Sequence, residues 1–233
     1  ILKAGTQAVL MDQPQEALGV LTERCEALGV PVHISGMVDA DGRYRGGSYE
    51  IGMPGAYQHR NAAAAIEAAG LLAQTFAQIT PQAVCDGVKN ARWPGRMELI
   101  AERPRVILDG AHNVHGVRAL VESLRAWKPQ QTYTFFMGVM AEKDYETMIE
   151  LILPLADRIY TLTPDSSRAL SADALCAMIR EKGGQADVCL DEQHLIGLIR
   201  ARDADEICIV FGSLYLIGAV RKLFLEGKSD IDE

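Results

Sequence analysis

Apolar residues in this chain gather into strand-length runs and helix-spaced stripes that follow one another with little interruption. Residues 8–11, "AVLM", form a first strand. From Pro14 to Leu28 the apolar positions recur at helical spacing, with a cap expected near Asp12, Pro14 suited to the first turn and Gly29 to the end. "VPVHISG" reads as a second strand, and the turn-rich "DADGRYRGGSYEIGMPG" as a hairpin or meander. The alanine-rich stretch that begins at Gln58 predicts a helix, and "TPQAVCDGVKNA" a second one with Thr80 as its cap and Pro81 in its first turn.

Beyond "RWPGRMELI" the alternation becomes regular. Strands are expected at 105–108, 132–138, 158–162, 186–190 and 206–211, separated by helical patterns at 117–127, 144–155, 171–182, 192–202 and 214–224. Such alternation predicts an α/β fold with a doubly wound, mostly parallel, Rossmann-like sheet. The expected boundary lies at residues 91–93, giving one domain over 1–90 and another over 91–233, with "EGKSDIDE" as a polar tail. The opening at Ile1, which runs straight into a strand, reads like a cut inside a larger protein.

Composition changes this picture only by exclusion. A formal net charge of -8, with acidic and basic residues interspersed, offers no sequence-independent grip on nucleic acid or on an anionic membrane surface. Five scattered cysteines without C-x-x-C spacing suit reduced thiols in a cytoplasm. Runs such as "ICIVF" and "LIGAV" fall far short of the roughly 20 apolar residues of a membrane helix.

Four stretches carry candidate chemistry. "LDGAHNVHG" ends a strand in Asp109, Gly110, His112 and Asn113, the position where α/β sheets hold ligands in short loops. In "WPGRMELI" a Pro94-Gly95 turn projects Arg96 beside a strand start, with Trp93 packing behind it. Arg96 suits a bidentate contact to phosphate or carboxylate, and equally a surface position next to a buried tryptophan. In "YQHRNAAAAI", Gln58, His59 and Asn61 stand at a helix mouth, where Asn61 serves either a ligand or simply as the cap. "VFGSLYLIG" places Gly212 and Ser213 between a buried strand and a helix, as an anion seat or an N-cap. No G-x-G-x-x-G follows any strand, the "GKS" of the tail follows a helix and has Lys222 where a phosphate loop needs its first glycine, and His112 with His115 has no third ligand type at metal spacing.

In this order and rough separation, "YQHRNAAAAI", "ARWPGRMELI", "VILDGAHNVHG" and "FGSLYLIG" resemble the folylpolyglutamate synthetase and dihydrofolate synthase family of the Mur ligase superfamily, and the resemblance spans residues 3–224. It implies an ATP-dependent ligase that joins L-glutamate to a folate or dihydropteroate through an acyl phosphate. It also implies magnesium and a monomer. The residues at hand would be the end of the central ATPase domain followed by the Rossmann-like, glutamate-binding carboxy-terminal domain. By the same resemblance Asn61 contacts the adenine side, Arg96 a phosphate, Asp109 the nucleotide, and His112 and Ser213 the glutamate, with Asn113 supporting the loop. Asp109 and His112 would then face two different substrates across one cleft. Where the family usually has proline after "GAHN", this chain has Val114. No phosphate loop or magnesium carboxylates of that family lie within these residues, so this stretch alone is expected not to turn over. Another Mur-type amino-acid ligase, or a binding module without catalysis, are the competing readings.

Overall fold

The computed structural model describes residues 2–229 and separates into two compact units, Ile1–Arg92 and Trp93–Glu233. In the first, β1 (Ala8–Met11) and β2 (Val32–Ser35) pair in parallel, with α1 (Gln15–Ala27) between them in sequence. The helix begins later than the sequence suggests. Pro14, with φ -50 and ψ 139, occupies the N-cap and no side chain caps the helix, because Asp12 stands two residues too early to reach the first free amides. The expected hairpin is present as β3 (Arg43–Tyr44) and β4 (Gly47–Ser48), its turn tied by Asp39 Oδ1, which accepts from Asp41 N and Arg43 N.

Two helices complete this unit, α2 (Gln58–Ala73) and α3 (Pro81–Asn90). Thr80 caps α3 as expected, its hydroxyl accepting from Ala83 N at 3.1 Å. Asn61 does not cap α2. The N-cap is Tyr57, so Asn61 sits inside the first turn. Small alanines carry α2 against its neighbours: Ala62, Ala63 and Ile66 form a core with Val38 and Tyr44, and Val84 and Val88 of α3 pack against it.

The second unit is built on a six-stranded sheet in the order β5-β6-β10-β7-β8-β9. Its strands are β5 (Glu98–Glu102), β6 (Arg105–Leu108), β7 (Tyr133–Met137), β8 (Ala156–Thr161), β9 (Ala186–Val188) and β10 (Ile207–Phe211). All neighbouring pairs are parallel except β5 with β6, which is antiparallel and places β5 at the edge. The helices are α4 (Val114–Trp127), α5 (Tyr145–Ile152), α6 (Ala172–Glu181), α7 (Glu192–Arg200) and α8 (Leu214–Ser229). Because strand side chains alternate between faces, Val106, Leu108, Phe136, Tyr160, Cys208 and Val210 point one way and pack with Leu195, Ile199, Leu216 and Val220 of α7 and α8. The alternate residues face the other way, where Tyr133 donates to the Leu124 carbonyl of α4 and Thr161 to the Ala172 carbonyl of α6. Helices thus cover both faces, the doubly wound arrangement the alternation predicts.

Two helix boundaries and one side-chain placement differ from the sequence reading. α4 starts at Val114 rather than at 117, because Asn113 in extended conformation accepts Gly116 N at 2.8 Å and opens the helix at once. α8 continues through 225–229, so the "EGKS" of the expected tail is helical, while residues 230–233 lie outside the described residues. Trp93 is 67% exposed instead of packing behind Arg96; Met97, at 6%, fills the space beside the turn. Among the described residues no helix is long and apolar enough to cross a membrane.

Candidate active site of the second unit

β6 and β10 are neighbours, so the loops leaving their carboxyl ends start side by side. From β6 come Asp109, Gly110, His112 and Asn113; from β10 come Gly212 and Ser213. Gly212 N donates to the Ala111 carbonyl at 2.8 Å, which ties the two loops together directly. The end of β7 lies against them as well, since Gly138 N donates to the Phe211 carbonyl.

Asp109 is only 3% exposed. Its Oδ1 accepts from Ala111 N at 2.9 Å and its Oδ2 from Met97 N at 3.0 Å. One carboxylate therefore shapes its own loop and fastens the segment that carries Arg96. A second bond, Gly110 N to the Gly95 carbonyl at 2.7 Å, holds the same segment from the other side. Gly95 has φ +69 and Met97 φ +47, so left-handed residues flank Arg96 and turn its side chain back over the β6 loop. A methyl group on Gly110 would collide with the Arg96 guanidinium and stand 3.1 Å from Leu214 of α8. Arg96 is half-buried and forms no ion pair among the described residues.

His112 is half-buried, and its Nδ1 lies 2.8 Å from the Gly110 carbonyl. A carbonyl can only accept, so Nδ1 carries the proton in this contact and Nε2 is left as the outward atom. Asn113 is the N-cap of α4. Ser213 is 3% exposed and occupies the position before α8; its Oγ accepts from Tyr215 N at 3.2 Å, so the N-cap role is real. The hydroxyl proton remains available to a ligand, and the free amides of the first turn of α8 point out beside it.

The structure thus gathers Arg96, Asp109, His112, Asn113 and Ser213 at the carboxyl ends of the interior strands β6 and β10. Asn61 belongs to the first unit. It is exposed there, donates from Nδ2 to Gln58 Oε1 at 2.9 Å, and lines a largely apolar cavity of about 470 Å³ between α2 and α3. Two residues went unnoticed in the sequence. Glu98 and Arg221 pair across the second unit, Arg221 Nε to Glu98 Oε1 at 3.0 Å, and Glu98 Oε2 also accepts from Gly95 N at 2.8 Å. The signal was weak because the two lie far apart along the chain. Among the described residues no group of three or more His, Cys, Asp or Glu could hold a metal ion, so these residues do not fit a magnesium ion by themselves. The guanidinium laid over a glycine, next to a helix start, does fit an anionic phosphoryl or carboxylate group.

A Rossmann-like domain with its polar residues at the carboxyl ends of adjacent parallel strands is a ligand-binding domain by construction. Residues 95–214 match the family described as the Mur ligase, glutamate ligase domain, and the chain belongs to that family. Among curated relatives, the folylpolyglutamate synthase of Lacticaseibacillus casei is 34% identical over 193 residues, covering 82% of this chain and 43% of that protein. The dihydrofolate synthase/folylpolyglutamate synthase of Bacillus subtilis is also 34% identical over 172 residues, covering 72% and 39%. The chain therefore spans less than half the length of these relatives. Among solved structures, Mycobacterium tuberculosis folylpolyglutamate synthase complexed with ADP and AMPPCP shares the fold with a TM-score of 0.82 and 22% identity, over 94% of this chain and 55% of that one.

Proposed function

We propose that this chain is the glutamate-binding portion, with the end of the ATP-binding portion, of an ATP-dependent ligase that adds L-glutamate to a folate or dihydropteroate. The observation that carries the reading is the convergence of Arg96, His112 and Ser213 at the carboxyl ends of β6 and β10, with a half-buried guanidinium held in place and an imidazole and a hydroxyl on the adjoining loops. Names of the relatives supply the substrate class.

In this reading ATP supplies the phosphoryl group that makes the pterin substrate's terminal carboxylate reactive. Arg96 neutralises charge on that phosphate, where a fixed guanidinium costs no reorganisation as charge develops. Asp109 sets the nucleotide-side loop by holding Met97 and Ala111. His112 Nε2 and the Ser213 hydroxyl hold the incoming glutamate, and Asn113 keeps the His112 loop in register through its cap. Asn61 takes the adenine side in the first unit. The glutamate amine then attacks the acyl carbon, an amide C–N bond forms, the C–O bond to phosphate breaks, and the amine proton passes to solvent. The role of the bound groups is orientation and exclusion of water from an acyl phosphate that would otherwise hydrolyse. Magnesium serves ATP through ligands other than these residues. Five free thiols suit a cytoplasmic setting.

Calorimetry of the chain with L-glutamate and, separately, with magnesium-ATP tests this. Removing a hydrogen bond to a charged group costs about 1.5–3 kcal/mol, so His112→Ala should weaken glutamate at least ten-fold while leaving the nucleotide unchanged. Arg96→Ala should do the reverse. Undiminished glutamate affinity in both His112→Ala and Ser213→Ala would move the amino acid away from these loops.

A further inference from the structure

The Arg96 turn is held from two directions by carboxylates, and only one of them belongs to the loops that line the site. Asp109 ties it to the end of β6. The other tie is Glu98, whose Oε2 accepts Gly95 N at 2.8 Å and whose two oxygens accept Arg221 Nε at 3.0 and 3.1 Å. Arg221 is on α8, the helix that starts just after its cap Ser213. The carboxylate of Glu98 therefore joins the turn bearing Arg96 to the helix that Ser213 caps.

Backbone strain gives this join something to do. Met97 is a non-glycine residue with φ +47, a conformation that survives only where the surroundings over-determine it. Gly95, the other left-handed residue, packs close to α8: a Cβ there would stand 2.6 Å from the Ile217 side-chain end. Arg96 thus lies between two left-handed positions, Met97 fixed by Asp109 and Gly95 fixed by Glu98. Its guanidinium has no ion pair of its own among the described residues to set its direction. Whatever direction it has comes from the turn.

We infer that Glu98, together with Arg221, is a positioning residue for Arg96, holding the phosphate-side arginine in register with the glutamate-side end of α8. The inference rests on the reading of Arg96 given above, but the geometry it concerns can be measured separately. Glu98 touches no substrate in this scheme. It acts by keeping Gly95 and α8 on one carboxylate, so that a shift of α8 at Ser213 is felt at Arg96. The side chains of Glu98 and Arg221 are 22% and 34% exposed, which makes the pair replaceable without opening the core.

The test uses the whole chain, labelled with nitrogen-15, as wild type, Glu98→Gln, Glu98→Ala and Arg221→Met. Hydrogen exchange at Met97 N and Gly110 N reads the turn, and exchange at Ile209 N in β10 reads the sheet. The Arg96 Nε resonance, titrated with inorganic pyrophosphate, reads the ligand side. Glu98→Ala should speed exchange at Met97 and Gly110 at least ten-fold with Ile209 unchanged. It should also weaken pyrophosphate at Arg96 at least five-fold. Glu98→Gln, which keeps an acceptor for Gly95 but loses charge, should fall between wild type and Glu98→Ala, and Arg221→Met should follow Glu98→Gln. Unchanged exchange at Met97 and Gly110 in all three variants overturns the inference. Faster exchange in a protein whose Arg96 ignores pyrophosphate even as wild type upholds the positioning and rejects the phosphate reading instead. Should Glu98→Ala fail to fold, the two milder variants decide alone.

Discussion

Gly212 offers a sharp quantitative check on the site edge. With φ +101 it is in a region that L side chains rarely adopt, and a Cβ built there would stand 2.6 Å from the Gly138 carbonyl oxygen and 3.3 Å from Gly138 C and N. All three obstacles are backbone at the end of β7, so nothing flexible can give way. The left-handed conformation costs an L residue about 1–2 kcal/mol and forced overpacking about 1–3, so Gly212→Ala should lose about 2–5 kcal/mol. Gly218, six positions on, has open space around its Cα and lies inside α8, where replacing glycine by alanine gains about 0.8–1 kcal/mol. Two alanines a few residues apart should therefore shift stability in opposite directions. Urea unfolding followed by tryptophan fluorescence measures this cleanly, because both tryptophans, Trp93 and Trp127, belong to the second unit. For a domain of this size the shifts correspond to roughly 5–15 °C downward in Tm for Gly212→Ala and about 2–4 °C upward for Gly218→Ala. A Gly212→Ala protein within about 1 kcal/mol of wild type would refute the close approach of the β10 and β7 ends on which the seat of Ser213 depends.

Other outcomes follow from single features. Val114 is the first residue of α4, behind the extended Asn113, so Val114→Pro should be neutral or stabilising by about 0.4–1 kcal/mol in thermal unfolding, since that amide has no helical partner to lose. Asn113→Ala should cost about 1 kcal/mol and Asn113→Asp almost nothing, by the same assay. Burial raises the Cys189 thiol to about 11 and the Cys208 thiol to about 12. Their folded values lie above the unfolded one near 9, so their contribution is complete below pH 9 and is lost as pH rises from there to about 12, which chemical denaturation at successive pH values will show. Because the other four thiols are buried out of a reagent's reach, a thiol reagent at pH 8 should modify only the half-buried Cys85 in the folded protein and all five cysteines in denaturant.

The sheet was legible because its strands are buried on both faces and so read as continuous apolar runs: "RVIL" and "ICIVF" mark β6 and β10 almost to the residue. β5 was visible only as a strand start after Arg96, since it is a short edge strand with a bulge between Leu99 and Ala101 and carries glutamates at both ends. Site residues were legible where local chain order puts them together, as in Asp109 to Asn113. What the sequence could not show is how each is held. The placement of Trp93 failed because a large aromatic beside a turn suggests packing, whereas Met97 took the interior position by adopting a positive φ. Glu98 and Arg221 were invisible because their pairing depends on α8 returning to the sheet edge, a fact of topology rather than of spacing.

The strand order also governs when the site can exist. Among the described residues β10 comes last in sequence of the six strands, yet it fills the slot between β6 and β7, pairing Ile207 with Arg105 and Cys208 with Thr134. Until it arrives, the sheet is missing a central member, and β6 and β7 would have to stand about 10 Å apart, two interstrand spacings. Closing so long a loop is slow, and the contacts that reward it come only at the end. Asp109 and Ser213 become neighbours in that same closing event. The juxtaposition of the β6 and β10 loops thus exists only in a chain whose β10 is already seated between β6 and β7, and removing residues 207–211 abolishes it.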